Sequence, residues 1–242
     1  RLIREEGITQ RPMAISGQTR VALMVRDDST GLEYRFLPEG PEVTEADIAA
    51  CISAVAERRE GFVVASGSLP RGAPVDSYAR LADAARRHGL PFVLDTSGAA
   101  LKPALEGGGL FLLKPSRSEL EGWAGRKLDD AGVEREARAL VAAGKARMVA
   151  VTLGAEGALL ATAEGVLRLP AIPVPVLSAV GAGDSFLGAM VWALSEGWPV
   201  EEAFRLAMAA GAAATSNPGT TLCRKDAVIR LCAQSGGRHA LA

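Results

Sequence analysis

The sequence predicts an α/β fold: a parallel sheet flanked by helices, with a small β lid near the start of the chain. Three observations carry this. From about residue 61, short β-branched or apolar runs alternate with amphipathic stretches, the order a parallel sheet with crossover helices requires. Each run ends in a polar or Gly-containing turn, where α/β proteins place their ligands. Residues 19–37 instead read as two extended segments joined by the turn-rich Asp27-Asp28-Ser29-Thr30-Gly31.

In chain order, the lid hairpin pairs residues 19–25 with 33–37. Thr44-Glu45-Ala46-Asp47 then supplies an N-cap and an acidic first turn to the first long helix. Residues 61–66 are the first sheet strand, and residues 75–88 a helix that Gly89 can close. Strands at 91–95 and 110–113 follow, then a helix through 134–143 and a strand at 148–153. Two small-residue-rich helices, 183–195 and 200–215, and a third at 226–233 end the pattern. The chain shows no internal repeat, linker or low-complexity segment.

Composition narrows the function classes. The 242 residues are 48% apolar and 23% charged, ordinary globular usage that excludes a disordered, collagen-like or disulfide-scaffold chain. A formal net charge of −1 carries no footprint for nucleic acid or an anionic membrane, so neither is expected as a partner. The longest uncharged stretch, 206–223, is too polar in its second half to span a bilayer. Arg1-Leu2-Ile3-Arg4-Glu5-Glu6 lacks the apolar core of a signal peptide. Cys51, Cys223 and Cys232 form no CxxC pair and are odd in number, which predicts a reducing, cytoplasmic setting and no zinc site. A Ser or Cys hydrolase has little to work with, since only His88 and His239 are available.

The chemistry concentrates in Ser178-Ala179-Val180-Gly181-Ala182-Gly183-Asp184-Ser185, directly ahead of an apolar helical run. Glycines admit a ligand close to the backbone, and the free N–H groups of a helix start favour phosphate charge. Asp184 in that first turn can accept a proton from an attacking hydroxyl while the amides steady a transferring phosphoryl group. A GxG followed by Asp is a short string, and alone it reads first as tight helix packing with an ordinary helix-start acid. Phe186 stands where GxGxxG needs Gly, so the dinucleotide fingerprint is absent, and so are the P-loop and protein-kinase strings.

With these residues in view the chain resembles the ribokinase-like PfkB family of carbohydrate kinases, whose signature is a GAGD string opening a helix near the C-terminal end. The resemblance also runs through Gly67-Ser68-Leu69-Pro70-Arg71-Gly72, Lys114-Pro115-Ser116-Arg117-Ser118-Glu119-Leu120, Thr152-Leu153-Gly154-Ala155-Glu156-Gly157, and residues 210–223. Within the family it is most similar to the phosphosugar branch of the minor 6-phosphofructokinase type, on Gly17-Gln18-Thr19-Arg20, Tyr34-Arg35-Phe36 and Asn217-Pro218-Gly219-Thr220-Thr221-Leu222-Cys223.

The resemblance implies a transfer of the γ-phosphoryl of MgATP to the C1 hydroxyl of fructose 6-phosphate. Asp184 is then the base and the Gly181, Ala182 and Gly183 amides the anion hole. Arg20, with Arg35, pairs the sugar phosphate, and Ser68 holds sugar hydroxyls. Lys114 and Ser116 lie on the ATP side, Glu119 organises magnesium through water, and Thr152, Gly154 and Gly157 line the nucleotide. Ser178, Val180, Ala214, Asn217 and Gly219 match a monovalent-cation site, with K+ the expected ion. Other implied sugars are fructose 1-phosphate and tagatose 6-phosphate, and a non-catalytic nucleotide-binding remnant is the alternative from another class.

Three departures from the family pattern stand out. Ser116 occupies the Asn position of N-x-x-E, Ala179 stands where Thr is common, and the chain opens without Met, well inside the pattern. The expectation is therefore a family member truncated at its N-terminus, its 242 residues inactive alone. In this division residues 12–38 form the lid hairpin, and residues 1–11 with 39–242 form a kinase domain lacking its first strands. A homodimer through the exposed edges of the lid completes the expectation.

Overall fold

The computed structural model describes residues 2–27 and 29–237, without the side chains of Leu2, Ile3, Arg26, Glu33 and Arg35. His239 lies outside the described residues. A short helix α1 (Leu2–Glu5) leads to a two-stranded antiparallel ribbon, β1 (Leu23–Arg26) and β2 (Glu33–Phe36). Then come α2 (Glu45–Ala56), β3 (Val63–Ser66), α3 (Ser77–Arg87), β4 (Phe92–Asp95), α4 (Leu101–Gly107) and β5 (Leu110–Leu113). They are followed by α5 (Arg117–Ala124), α6 (Asp130–Ala142), β6 (Ala146–Thr152), β7 (Ala158–Ala161) and β8 (Val166–Leu169). Helices α7 (Ala182–Ser195), α8 (Val200–Thr215) and α9 (Lys225–Gln234) end the described chain.

The six-stranded sheet has the order β3-β4-β5-β6-β7-β8. Its first four strands are parallel, and β7 and β8 return antiparallel, a hairpin the sequence expectation did not include. Both faces are covered, so its strands read as continuous apolar runs. Alternate residues feed two cores, as the two-residue period of a strand dictates. Leu94, Leu113, Val149, Val151 and Leu159 pack with Tyr78, Leu105, Leu120 and Leu140 of the helices on one face. Val93, Leu112, Met148, Ala150 and Leu160 pack with Phe186, Met190, Phe204 and Leu231 of α7, α8 and α9 on the other.

Local chemistry sets the helix starts. Thr44 and Asp47 form a reciprocal capping box on α2, as the sequence suggested. The lid differs from expectation: β1 begins at Leu23, not at residue 19. The run ahead of it passes close to another segment, Gly17 near Pro41 and the Arg20 side chain near Gly40.

Gly157 has a steric reason of its own. It sits at φ 101°, and a Cβ there would fall 2.0 Å from the Leu169 carbonyl oxygen. Gly154 is also left-handed, at φ 61°, with open space around it. Gly157→Ala should therefore cost about 2–3 kcal/mol, and at about 2–4 °C per kcal/mol lower Tm by roughly 5–10 °C. Gly154→Ala should cost only about 1 kcal/mol. Thermal unfolding of both variants checks the contrast, and equal shifts would refute it.

Candidate active site

The parallel strands deliver their last residues to one edge of the sheet, where a doubly covered sheet binds ligands. Ser66 ends β3, Asp95 ends β4, Lys114 follows β5, and Thr152 ends β6. The turn after β3 is pinned at its backbone. The Gly67 N–H donates to the Asp95 carbonyl (2.8 Å), and the Gly67 carbonyl accepts from the Tyr78 hydroxyl (2.8 Å) and the Thr96 hydroxyl (2.9 Å). Ser68 projects from this fixed turn and is exposed. Ser66 spans 118 positions of sequence to donate a long hydrogen bond, 3.4 Å, to the Asp184 carboxylate.

Lys114 is 5% exposed, and its ammonium lies 3.0 Å from an Asp95 carboxylate oxygen. Asp95 was not among the expected site residues, although a carboxylate on the last position of a parallel strand is the available signal. Burial pushes the Asp95 carboxyl above its ordinary range; Lys114 pulls it back, while Glu119 and Asp184 add to the rise. Three carboxyl groups thus share one field with a single ammonium.

The same ammonium meets the start of α7. Gly181, at φ 74°, is the N-cap residue, and no side chain caps the helix. A Cβ on Gly183 would lie 3.4 Å from the Lys114 nitrogen. The Ala182, Gly183 and Asp184 amides, which the helix itself leaves without acceptors, therefore adjoin a buried cation at the positive pole of the macrodipole. Helix α8 braces this turn: a Cβ on Gly211 would fall 3.3 Å from the Ala182 carbonyl oxygen.

Ser116 caps α5. Its hydroxyl accepts from the Glu119 N–H (3.3 Å), and its own N–H donates to the Glu119 carboxylate (2.7 Å). Ser and Asn rank together as N-caps, so this departure from N-x-x-E preserves the helix start. Thr152 adjoins the same loop, its N–H donating to the Pro115 carbonyl (2.9 Å), with a parallel bridge between Thr152 and Ser116. The turn from Gly154 to Gly157 follows directly.

The five expected monovalent-cation residues fall on two runs held side by side. The Leu177 and Ser178 N–H groups both donate to the Thr215 carbonyl. Ser178 is 2% exposed and its hydroxyl accepts from the Val180 N–H, while the Asn217 amide group donates to the Ala213 and Leu222 carbonyls. Ala214 and Gly219 flank these contacts. Arg20 is exposed beside Gly40 and, among the described residues, pairs with no carboxylate. Arg35 stands opposite Met24 in the ribbon, and its side chain lies outside the described residues.

An uncapped helix start, a buried lysine and an aspartate thus meet at the edge of a parallel sheet. The family model described as pfkB family carbohydrate kinase matches residues 1–227, and the chain belongs to that family. It is 40% identical over 232 residues to the ATP-dependent 6-phosphofructokinase isozyme 2 of Mycobacterium tuberculosis, covering 95% of this chain and 68% of that protein. It is 34% identical over 215 residues to the 1-phosphofructokinase of Bacillus subtilis, covering 87% of this chain and 69% of that one. The crystal structure of phosphofructokinase-2 from Escherichia coli in complex with potassium superposes with a TM-score of 0.92 at 35% identity, covering 97% of this chain and 77% of that one. The likeness extends to the mostly parallel, helix-flanked sheet. Among the described residues no helix is long and apolar enough to cross a membrane.

Removing the lysine strands a largely buried acid, its side chain 15% exposed. Lys114→Met should cost about 3–5 kcal/mol at neutral pH, more than the Lys114→Met, Asp95→Leu double variant, because one uncompensated charge is worse than none. In Lys114→Met the folded-state Asp95 carboxyl moves further above its unfolded value, so protonated Asp95 is the form the fold favours. The single variant's deficit should therefore shrink as pH falls through the folded-state value and be fully present above it. Denaturant melts across pH check this, and a pH-independent deficit would refute it.

Proposed function

We propose that the protein transfers the γ-phosphoryl group of MgATP to the C1 hydroxyl of fructose 6-phosphate, giving fructose 1,6-bisphosphate. The observation that carries this reading is the convergence of the Lys114 ammonium and the uncapped α7 amides at Gly183, the residue next to Asp184. Two positive elements placed together call for an anion between them, and a carboxylate beside that anion calls for a hydroxyl to deprotonate.

In this scheme Asp184 takes the C1 hydroxyl proton as that oxygen attacks the γ-phosphorus. The bond to the β–γ bridging oxygen breaks, and ADP leaves carrying that oxygen. The amides of residues 182–184 and Lys114 hold the equatorial oxygens of the transferring group. Thr152, Gly154 and Gly157 line the nucleotide. Among the described residues no three acidic or imidazole groups stand close enough to ligate a metal directly, so Glu119 would hold a divalent cation through water. Bound with the nucleotide, magnesium supplies charge that offsets the phosphates. The carbonyl-rich runs at Ser178, Val180, Ala214, Asn217 and Gly219 suit K+, a cation that prefers oxygen ligands. Residues 12–38 act as the lid, from which Arg20 and Arg35 pair the sugar phosphate, as bidentate guanidinium groups can, while Ser68 holds sugar hydroxyls. The 1-phosphofructokinase relative favours fructose 1-phosphate as the second reading.

ADP release by the full-length protein, with the two fructose phosphates and tagatose 6-phosphate side by side, decides the sugar by kcat/KM. Asp184→Asn should lower kcat about 10²–10⁴-fold with little change in KM. Retained kcat would sink the assignment of the base. In the same assay Arg20→Ala should raise KM for phosphosugars while sparing kcat.

The ribbon supports a homodimer. Register pairs Leu23 with Phe36 and Val25 with Tyr34, so all four lie on one face, and each is 47% exposed or more. Such a face is an interaction surface, and a second copy offers the same face in return. Light scattering should give twice the chain mass, and Leu23→Glu with Phe36→Glu should halve it. A monomeric parent protein would overturn the proposal.

A further inference from the structure

Four charged side chains close a ring beside the nucleotide half of the site. Arg117 lies 2.6 Å from Asp130 and 2.8 Å from Glu156; Arg168 lies 2.6 Å from Asp130 and 3.6 Å from Glu156. Each acid is shared by both guanidinium groups, and each residue comes from a different place: the start of α5, the start of α6, the turn after β6, and β8. Arg117 also donates to the Leu128 carbonyl (3.4 Å). The two arginines hold the Asp130 carboxyl below its ordinary range.

An exposed pair contributes little by itself, but a closed network in which each guanidinium bridges two acids through one nitrogen fixes the relative position of the segments that carry it. Two of those four segments bear the ATP-side residues. Arg117 stands between Ser116 and Glu119, and Glu156 stands between Gly154 and Gly157. Among the described residues the backbone joins them at the near end, through Thr152 and Pro115. The far end of the turn, the part that opens to solvent at Gly154, has the ring.

We propose that Arg117 and Glu156 are positioning residues for the nucleotide, the ring holding the turn after β6 at a fixed distance from Lys114, Ser116 and Glu119. This rests on the kinase reading above, and it adds residues that touch neither the phosphates nor the reacting oxygen. Loosening the ring displaces one wall of the nucleotide site and leaves the sugar side and the start of α7 in place.

The test is MgATP binding by calorimetry, which needs no sugar and no turnover, alongside steady-state kinetics of the full-length protein. Glu156→Gln and Arg117→Met should each weaken MgATP binding roughly tenfold, with kcat at saturating ATP and KM for the sugar within about twofold. Arg117→Lys, which keeps the charge but loses the planar guanidinium that reaches both acids and the Leu128 carbonyl, should fall between. The ratio of variant to parent dissociation constants should shrink towards one in high salt, because screening opens the parent's ring as well. Should Arg117→Met fail to fold, Arg168→Met cuts the same ring from β8 and carries the same expectation. Variants that melt earlier yet bind MgATP like the parent would show a ring that only stabilises, and would overturn the proposal. So would an equal rise in sugar KM, the mark of general loosening. A parent that binds no MgATP would overturn the kinase reading and this inference together.

Discussion

A buried ammonium beside the positive end of a helix is an unfavourable arrangement unless something negative shares the space, and the site is organised around that constraint. Lys114 is drawn to the strand ends by Asp95 and held at the Gly183 turn by the packing of α8 against α7. Asp95 pairs with the ammonium, and burial pushes its carboxyl above the ordinary range. Beside this pair the first amides of α7 have no intrahelical partners. A transferring phosphoryl group answers all of these features at once, and neutral ligands answer none of them.

Sheet topology explains why groups so far apart in sequence meet. Four parallel strands end at one edge, and each contributes one residue there: Ser66, Asp95, Lys114 and Thr152. The antiparallel hairpin of β7 and β8 extends the sheet on the far side of β6 and gives the turn after β6 a wall, with Gly157 pressed against the Leu169 carbonyl. The uncapped start of α7 arrives from the opposite layer. The site is therefore a junction of the two cores, and the helices on both faces must be packed before it exists.

The α/β alternation, the capping box at Thr44 and the Gly-Ala-Gly-Asp helix start were legible because each rests on neighbours in sequence. Asp95 was not singled out: on sequence it is one more residue at a strand end, and only the fold places it against Lys114, nineteen positions on. The β7–β8 hairpin was missed because Ala158-Leu159-Leu160-Ala161 is buried on both faces and shows no alternation. The lid strand is shorter than the extended pattern from residue 19 suggests, and Gly17 and Arg20 lie near Pro41 and Gly40, a proximity with no local signal. Arg117 and Glu156 sat inside recognised strings without a role, because an ion ring across four segments is a tertiary fact.

Two glycines show how far residue type alone can carry a functional assignment. Gly157 and Gly183 both stand in glycine-bearing loops of the kind that admit a ligand to the backbone. At Gly157 the missing side chain is required by a carbonyl oxygen and by a left-handed φ, so the hairpin alone accounts for it. At Gly183 the backbone has no such φ, and the nearest atom a side chain would meet is the Lys114 nitrogen. The space there is bounded by a cation and free amides rather than by the chain's own backbone. Packing thus explains one glycine completely and leaves the other to be explained by an anion, which is why the α7 turn carries the functional argument and the turn after β6 supports it.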